Sequence, residues 1–247
     1  MRRAELQKRL QDLSARGFVQ SERKGATGIG YTLERWLGVS ENNLPIADMG
    51  GRVEIKATRS TANTLITLFT FNRSVWQKPQ ADILCRWGYR DDKRGRRALY
   101  STVSAAKPNQ QGLQVILPAG ADQIWVIDSG SGERLASWDL FAIVGKFMAK
   151  FERLLLVHAD TRKGAAGEEC PYRAAQLLAE PSAQTFRKGF LSGRVRIDIR
   201  MHMKATGAVR NHGTAFMAQR CGCMRTTCPI CLVVRHICWK MAETTCA

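Results

Sequence analysis

The sequence predicts a mixed fold of helices and strands, α/β or α+β, on three observations. Residues 2–16 and 138–156 carry apolar side chains at helical spacing. Residues 193–204 alternate apolar and polar without a break, as a strand does. Between the two helices lie short β-branched and aromatic runs separated by turn residues, which is neither a helical bundle nor a sandwich pattern.

The elements follow in order. In 2–16, Leu6, Leu10 and Leu13 share one stripe and Gly17 supplies a stop. A glycine-rich loop (Gly25, Gly28, Gly30) leads to a short helix over 32–37, with Leu33, Trp36 and Leu37 inward and Gly38 ending it. Residues 65–71, 81–88, 99–103, 113–117 and 124–127 read as strands. The helix over 138–156 can be capped by Ser137 or Asp139. Residues 161–169 read as a loop and a lobe boundary. In the strand 193–204, Val195, Ile197, Ile199, Met201 and Met203 fall on one face. Arg194, Arg196, Asp198, Arg200, His202 and Lys204 fall on the other.

Charge narrows the function. Among 247 residues, 38 Lys and Arg against 21 Asp and Glu leave +17, which favours a polyanionic partner such as nucleic acid. The N-terminal residues lack a secretory pattern and no apolar run could span a bilayer, so a cytoplasmic protein with no membrane partner is expected. Six of the eight cysteines (Cys221, Cys223, Cys228, Cys231, Cys238 and Cys246) crowd the last 27 residues, unlike a disulfide framework spread through a secreted fold.

The segment from Ile46 to Lys56 carries the chemistry. A strand there buries Val53 and Ile55 and sets Glu54 and Lys56 on one face, while Gly50-Gly51 allows a turn that brings Asp48 back to them. Two carboxylates beside an ammonium suit a hard cation that also touches phosphate oxygens. The pattern alone more often marks a solvated ion pair on an exposed face.

The order Gly28-Ile29-Gly30-Tyr31-Thr32-Leu33-Glu34-Arg35-Trp36-Leu37-Gly38, Glu41-Asn42-Asn43, Asp48-x5-Glu54-x-Lys56 and Thr67-Leu68-Phe69-Thr70 resembles the MvaI/BcnI family of restriction endonucleases. The resemblance covers roughly residues 25–72 and resumes at Arg210-Asn211-His212-Gly213-Thr214-Ala215-Phe216. It implies an α/β restriction-endonuclease core, a mixed sheet flanked by helices, in two lobes clasping DNA. The lobes are expected at 1–160 (catalytic) and 161–216 (recognition), with 217–247 as an anomalous tail.

By the same resemblance Asp48 and Glu54 would bind magnesium, Lys56 would be the catalytic lysine, and Glu34 a further acid supplied by a helix. The activity implied is that of a type II site-specific deoxyribonuclease, a monomer cutting double-stranded DNA at short CC-x-GG-like targets, one strand at a time. A methyltransferase would share the target without needing to bind the enzyme. The rivals are a nicking enzyme like MutH of mismatch repair and a DNA-binding remnant without catalysis. Candidate DNA-contacting residues are Arg194, Arg196, Arg200, Lys204, Arg210, Asn211 and His212. The basic residues between Arg86 and Arg97 read either as a DNA-backbone loop or as a hairpin tip.

Two readings of the tail are open. Cys221-x-Cys223-x4-Cys228-x2-Cys231 has spacings a zinc ion could use. The preferred reading is a non-native end from an unrelated reading frame, with no core to join.

Overall fold

Leu6, Leu10 and Leu13 line one stripe of the first helix, and all three are buried in the computed structural model of the chain. The structure describes residues 2–40, 46–60, 65–71, 75–219, 227–228 and 232–240. Its first elements are α1 (Arg3–Ala15), β1 (Val19–Gln20), α2 (Gly28–Leu37), β2 (Val53–Arg59) and β3 (Leu65–Phe71). Next come α3 (Gln80–Trp87), β4 (Tyr89–Asp91), β5 (Arg96–Val103), β6 (Leu113–Ile116), β7 (Gln123–Asp128) and β8 (Arg134–Asp139). Then follow α4 (Leu140–Lys150), β9 (Arg153–Ala159), β10 (Arg162–Gly164), β11 (Gly167–Cys170) and β12 (Tyr172–Ala179). The last are α5 (Ala183–Leu191), β13 (Val195–Met203), β14 (Val209–Gln219), β15 (Thr227–Cys228) and β16 (Leu232–Lys240).

These elements form two compact units, each discontinuous in sequence. The first comprises Met1–Thr64, Met148–Ser182 and Cys221–Ala247; the second comprises Leu65–Phe147 and Ala183–Arg220. The expected segments 1–160, 161–216 and 217–247 were contiguous. Strand pairing divides the chain differently, because β2 pairs with β9 and β3 with β14, each across a long stretch of sequence.

In the first unit a five-stranded sheet has the order β15-β16-β12-β9-β2. Strands β2 and β9 run parallel, the others antiparallel. Leu6, Leu10 and Leu13 of α1 and Ile29, Leu33 and Leu37 of α2 pack with Ile55, Leu155, Val157 and Tyr172 in one buried cluster. Tyr172 satisfies its buried hydroxyl by donating to the Ile29 carbonyl at 2.8 Å. The small sheet β1-β11-β10 completes this unit.

The second unit holds a five-stranded antiparallel sheet, β3-β14-β13-β5-β4, and the meander β6-β7-β8. Its core is aromatic. Phe216 of β14 stacks on Phe69 at 5.1 Å and meets the edges of Trp138 and Phe190 at 5.9 Å each. Phe186 stacks on Phe147 at 4.5 Å.

Four expectations about elements are corrected. Residues 80–87 form α3, not a strand. Ile83, Leu84 and Trp87 are buried at helical spacing, and Asp82 lies in the first turn, where the dipole favours an acid. The long helix ends at Lys150 rather than 156, and Leu154–Val157 belong to β9, a central strand covered on both faces. Such a strand reads as a continuous apolar run, which periodicity cannot tell from a buried helix. Residues 161–169 are not a loop but the hairpin β10–β11. The second helix starts at Gly28, four residues before the expected Thr32, and Asp139 caps α4 by accepting the Ala142 amide at 2.7 Å.

Residues 232–240 run antiparallel to β12, from Ala174 opposite Lys240 to Ala179 opposite Val233. The expected zinc ligands Cys221, Cys223 and Cys231 lie outside the described residues, as do Glu41, Asn42 and Asn43 of the family pattern.

Candidate active site

The turn before β2 positions the first carboxylate. Gly50 and Gly51 adopt φ of +57° and +70°, the left-handed region in which a Cβ is strained although neither position is crowded. The turn closes through a Met49 amide bond to the Val53 carbonyl at 2.9 Å. Asp48 is thereby folded back on β2, where its Oδ2 accepts the Ile55 amide at 2.8 Å. That bond leaves Oδ1 for another ligand.

Alternation along β2 does the rest. Ile55 is buried in the core behind the strand, while Glu54 and Lys56 share the other face, as the sequence predicted. Lys56 Nζ donates to Glu54 Oε1 at 2.6 Å. Glu54 is not on an exposed face, however. It is 0% exposed, and its Oε2 is buried with no hydrogen-bond partner among the described residues. Burial raises its pKa above the ordinary carboxylate value; the Lys56 ammonium and Lys150 oppose that shift, and the nearby Asp48 adds to it. The solvated-ion-pair reading therefore does not describe this pair.

Sequence reasoning missed one member of the site. Lys150 Nζ lies 3.2 Å from the same Glu54 Oε1. It is the last residue of α4, just before β9, and β9 sets Leu154 beside Glu54 in parallel register. No local pattern marks Lys150, because only the β2–β9 pairing brings it to Glu54.

Glu34 lies on α2, which packs against β2. It lines a groove of about 240 Å³ together with Lys56, Tyr31 and Arg23, the guanidinium of which sits 3.9 Å above the Tyr31 ring centre. Among the described residues no three of His, Cys, Asp and Glu converge as a metal cage. Glu34 thus joins the groove of Lys56 and not a three-carboxylate cluster with Asp48 and Glu54.

The donors present fit a hard divalent cation. Glu54 offers a buried oxygen with no partner among the described residues, Asp48 offers Oδ1, and magnesium characteristically takes one or two carboxylates and completes its shell with water and phosphate oxygens.

The second unit carries a separate basic surface, on one face of the sheet around β13. That strand lies at the centre of its sheet, so its charges do not serve to blunt an edge. A groove of about 580 Å³ is lined by Arg94, Arg96, Tyr100, Asp198, Arg200, His202, Arg210 and His212. Asp198 is nearly buried, accepts Thr102 Oγ1 at 3.0 Å and holds Arg200 Nε at 2.5 Å, so this acid orients an arginine. Arg96 donates to the Tyr100 hydroxyl at 3.1 Å, and that hydroxyl lies 2.9 Å from His202 Nδ1. Burial first, then Arg96 and the other nearby cationic groups, lower the His202 pKa.

Of the expected contact residues, Arg200, Arg210 and His212 meet in this groove. Arg194, Arg196, Lys204 and Asn211 are not among its lining residues. Arg194 and Lys204 are exposed near the two ends of β13. Arg196 is turned to the Gly193 carbonyl at 2.9 Å, and Asn211 Oδ1 accepts the Gly213 amide at 2.8 Å. The pairing shifts register opposite Ile199 and Met201, so that His212 and Gly213 form a bulge, with Gly213 at φ +87°. The β4–β5 hairpin adds Arg94 and Arg96 to the groove, whereas Arg97 donates to the Leu84 and Cys85 carbonyls at the end of α3.

Among the described residues no helix is long and apolar enough to cross a membrane. The family model for MvaI/BcnI restriction endonucleases matches residues 7–222. The fold is similar to that of the restriction endonuclease MvaI in complex with its cognate DNA substrate: TM-score 0.73, 24% identity, covering 88% of this chain and 92% of that one. It is also similar to MvaI in the absence of DNA: TM-score 0.51, 22% identity, covering 87% and 90%. No curated protein matches the chain.

Proposed function

Because the chain belongs to the MvaI/BcnI restriction endonuclease family, we propose that it hydrolyses double-stranded DNA with magnesium held between Asp48 and Glu54. The observation that carries the reading is the buried, unpartnered Oε2 of Glu54 beside a carboxylate and a lysine on one strand-and-turn unit. A buried polar atom without a partner costs stability, and such a cost persists where a ligand is to be bound.

In the reaction a water oxygen bonds to phosphorus and the bond from phosphorus to O3′ breaks. The products are a 5′-phosphate and a 3′-hydroxyl. Bound magnesium supplies Lewis-acid polarisation of the phosphate and a lower pKa for bound water. Lys56 presents its ammonium from the rigid strand β2, held at 2.6 Å from Glu54, where it can orient the attacking water and stabilise charge gathering on the phosphate. Asp48 is kept in place by the Ile55 amide, so little reorganisation is needed when DNA arrives. Glu34, in the same groove as Lys56, serves as the further acid beside the reacting phosphate.

DNA would be read by the second unit. Arg200, Arg210 and His212 share one groove and can reach base edges, while the exposed Arg194 and Lys204 neutralise phosphates; Arg196 and Asn211 support the strand and the bulge that present them. The decisive experiment is digestion of plasmid DNA by the purified protein, with the cut ends sequenced. Discrete fragments sharing one short sequence are expected with magnesium and none with EDTA. Undiminished cutting in EDTA, or cutting without sequence preference, would refute the proposal.

A further inference from the structure

Lys150 lies outside the motif that located the site, yet it contacts the same Glu54 oxygen as Lys56, at 3.2 Å against 2.6 Å. We propose that Lys150 is the resident countercation of the metal site: it neutralises Glu54 until a divalent ion binds, and must move aside for that ion to bind. The inference rests on the reading of Asp48 and Glu54 as the ion's ligands.

The charges make the case. Asp48 and Glu54 are balanced by Lys56 and Lys150, so the cluster is neutral around a carboxylate that is 0% exposed. A buried carboxylate needs such compensation, because removing a charge from water costs several kcal/mol unless it is paired. A divalent ion on Oε2 would supply the compensation twice over and leave two ammoniums crowded against it.

One of them has to yield, and the geometry selects which. Lys56 makes the shorter contact and stands in the middle of β2, between Ile55 and Ala57, in a strand paired along its whole length with β9. Lys150 makes the longer contact and is the last residue of α4, outside the paired strands. Its four-carbon stem can carry the ammonium to water without disturbing the sheet. A purely structural lysine, held there only to satisfy Glu54, would not need to move.

The test is binding of manganese to the metal-free full-length protein, followed by the electron paramagnetic resonance of the free ion. Lys150→Met should bind manganese roughly tenfold more tightly than the parent, since a competing cation is removed. Lys150→Arg should stay near the parent. Asp48→Asn and Glu54→Gln should both weaken binding strongly. If they do, and Lys150→Met binds no more tightly than the parent, the role of Lys150 is overturned. If they leave manganese binding unchanged, the ligand assignment itself fails, and the inference with it.

A second readout needs no substitution. Labelling of Lys150 by an amine-reactive reagent, followed by mass spectrometry, should become several-fold faster with manganese than in a control matched in ionic strength. An unchanged labelling rate overturns the proposal.

Discussion

Replacing Lys56 by Met separates the chemistry from the fold. Glu54 is fully buried, and stripping it of every countercharge would leave an uncompensated carboxylate and cost about 3–5 kcal/mol. The structure provides a second cation, however: Lys150 stays 3.2 Å from Glu54 Oε1 when Lys56 is gone. The Lys56 side chain is also 27% exposed, so the variant should fold with a melting temperature within a few degrees of the parent. On the proposed mechanism, what it loses is the ammonium that stabilises charge on the reacting phosphate. Losing one preorganised group of that kind lowers turnover by about 10²–10³-fold, or roughly 3–4 kcal/mol of barrier. DNA affinity should change by less than about threefold, because one phosphate contact is a small part of the electrostatic attraction. The assay is single-turnover cleavage with enzyme in excess, alongside gel-shift affinity in calcium and a thermal melt. A cleavage rate within tenfold of the parent refutes the assignment of Lys56. A collapsed melting temperature refutes the claim that Lys150 backs it up.

Three further outcomes follow from the fold and the surface charge. DNA affinity should fall with salt, with a log–log slope of about −1.8 from Arg194 and Lys204 if each neutralises one phosphate. In that case Lys204→Ala should reduce the slope by about 0.9 for every sequence, whereas Arg210→Ala should change which sequences bind; a flat salt response would remove the DNA-binding premise. Phe216→Ala deletes a fully buried ring that touches Phe69, Trp138 and Phe190, and should cost about 3–5 kcal/mol by urea unfolding. A loss below about 1 kcal/mol would mean that the aromatic core is not packed as described. The purified protein should carry well under one zinc per chain, as elemental analysis will read. Truncation to test the tail belongs after Gln219, because Ala218 is buried and β14 is paired with β3 through Gln219. A zinc ratio near one, with protease resistance lost on chelation, would instead make the tail a folded metal domain.

The part of the site that the sequence could disclose lies within nine residues. From Asp48 to Lys56 the geometry is local: strand alternation sets Glu54 and Lys56 on one face, and two glycines at positive φ return Asp48 to them. The stripe of α1 and the apolar face of β13 were legible for the same reason, since each depends only on the period of its own element. Where a segment has no distinctive period, or one too short to read, the sequence misled. The apolar run Leu154–Val157 read as helix although it is a strand covered on both faces, and the short helix 80–87 read as a strand. Local pattern also carries no information about what covers a face. Alternation along β2 does not tell that Glu54 is buried, nor alternation along β13 that Asp198 and His202 are nearly buried in the middle of a sheet. Lys150 reaches Glu54 only because β2 and β9, remote in sequence, run side by side. Burial, strand order and the second lysine are properties of long-range packing, and no short stretch of this chain encodes them by itself.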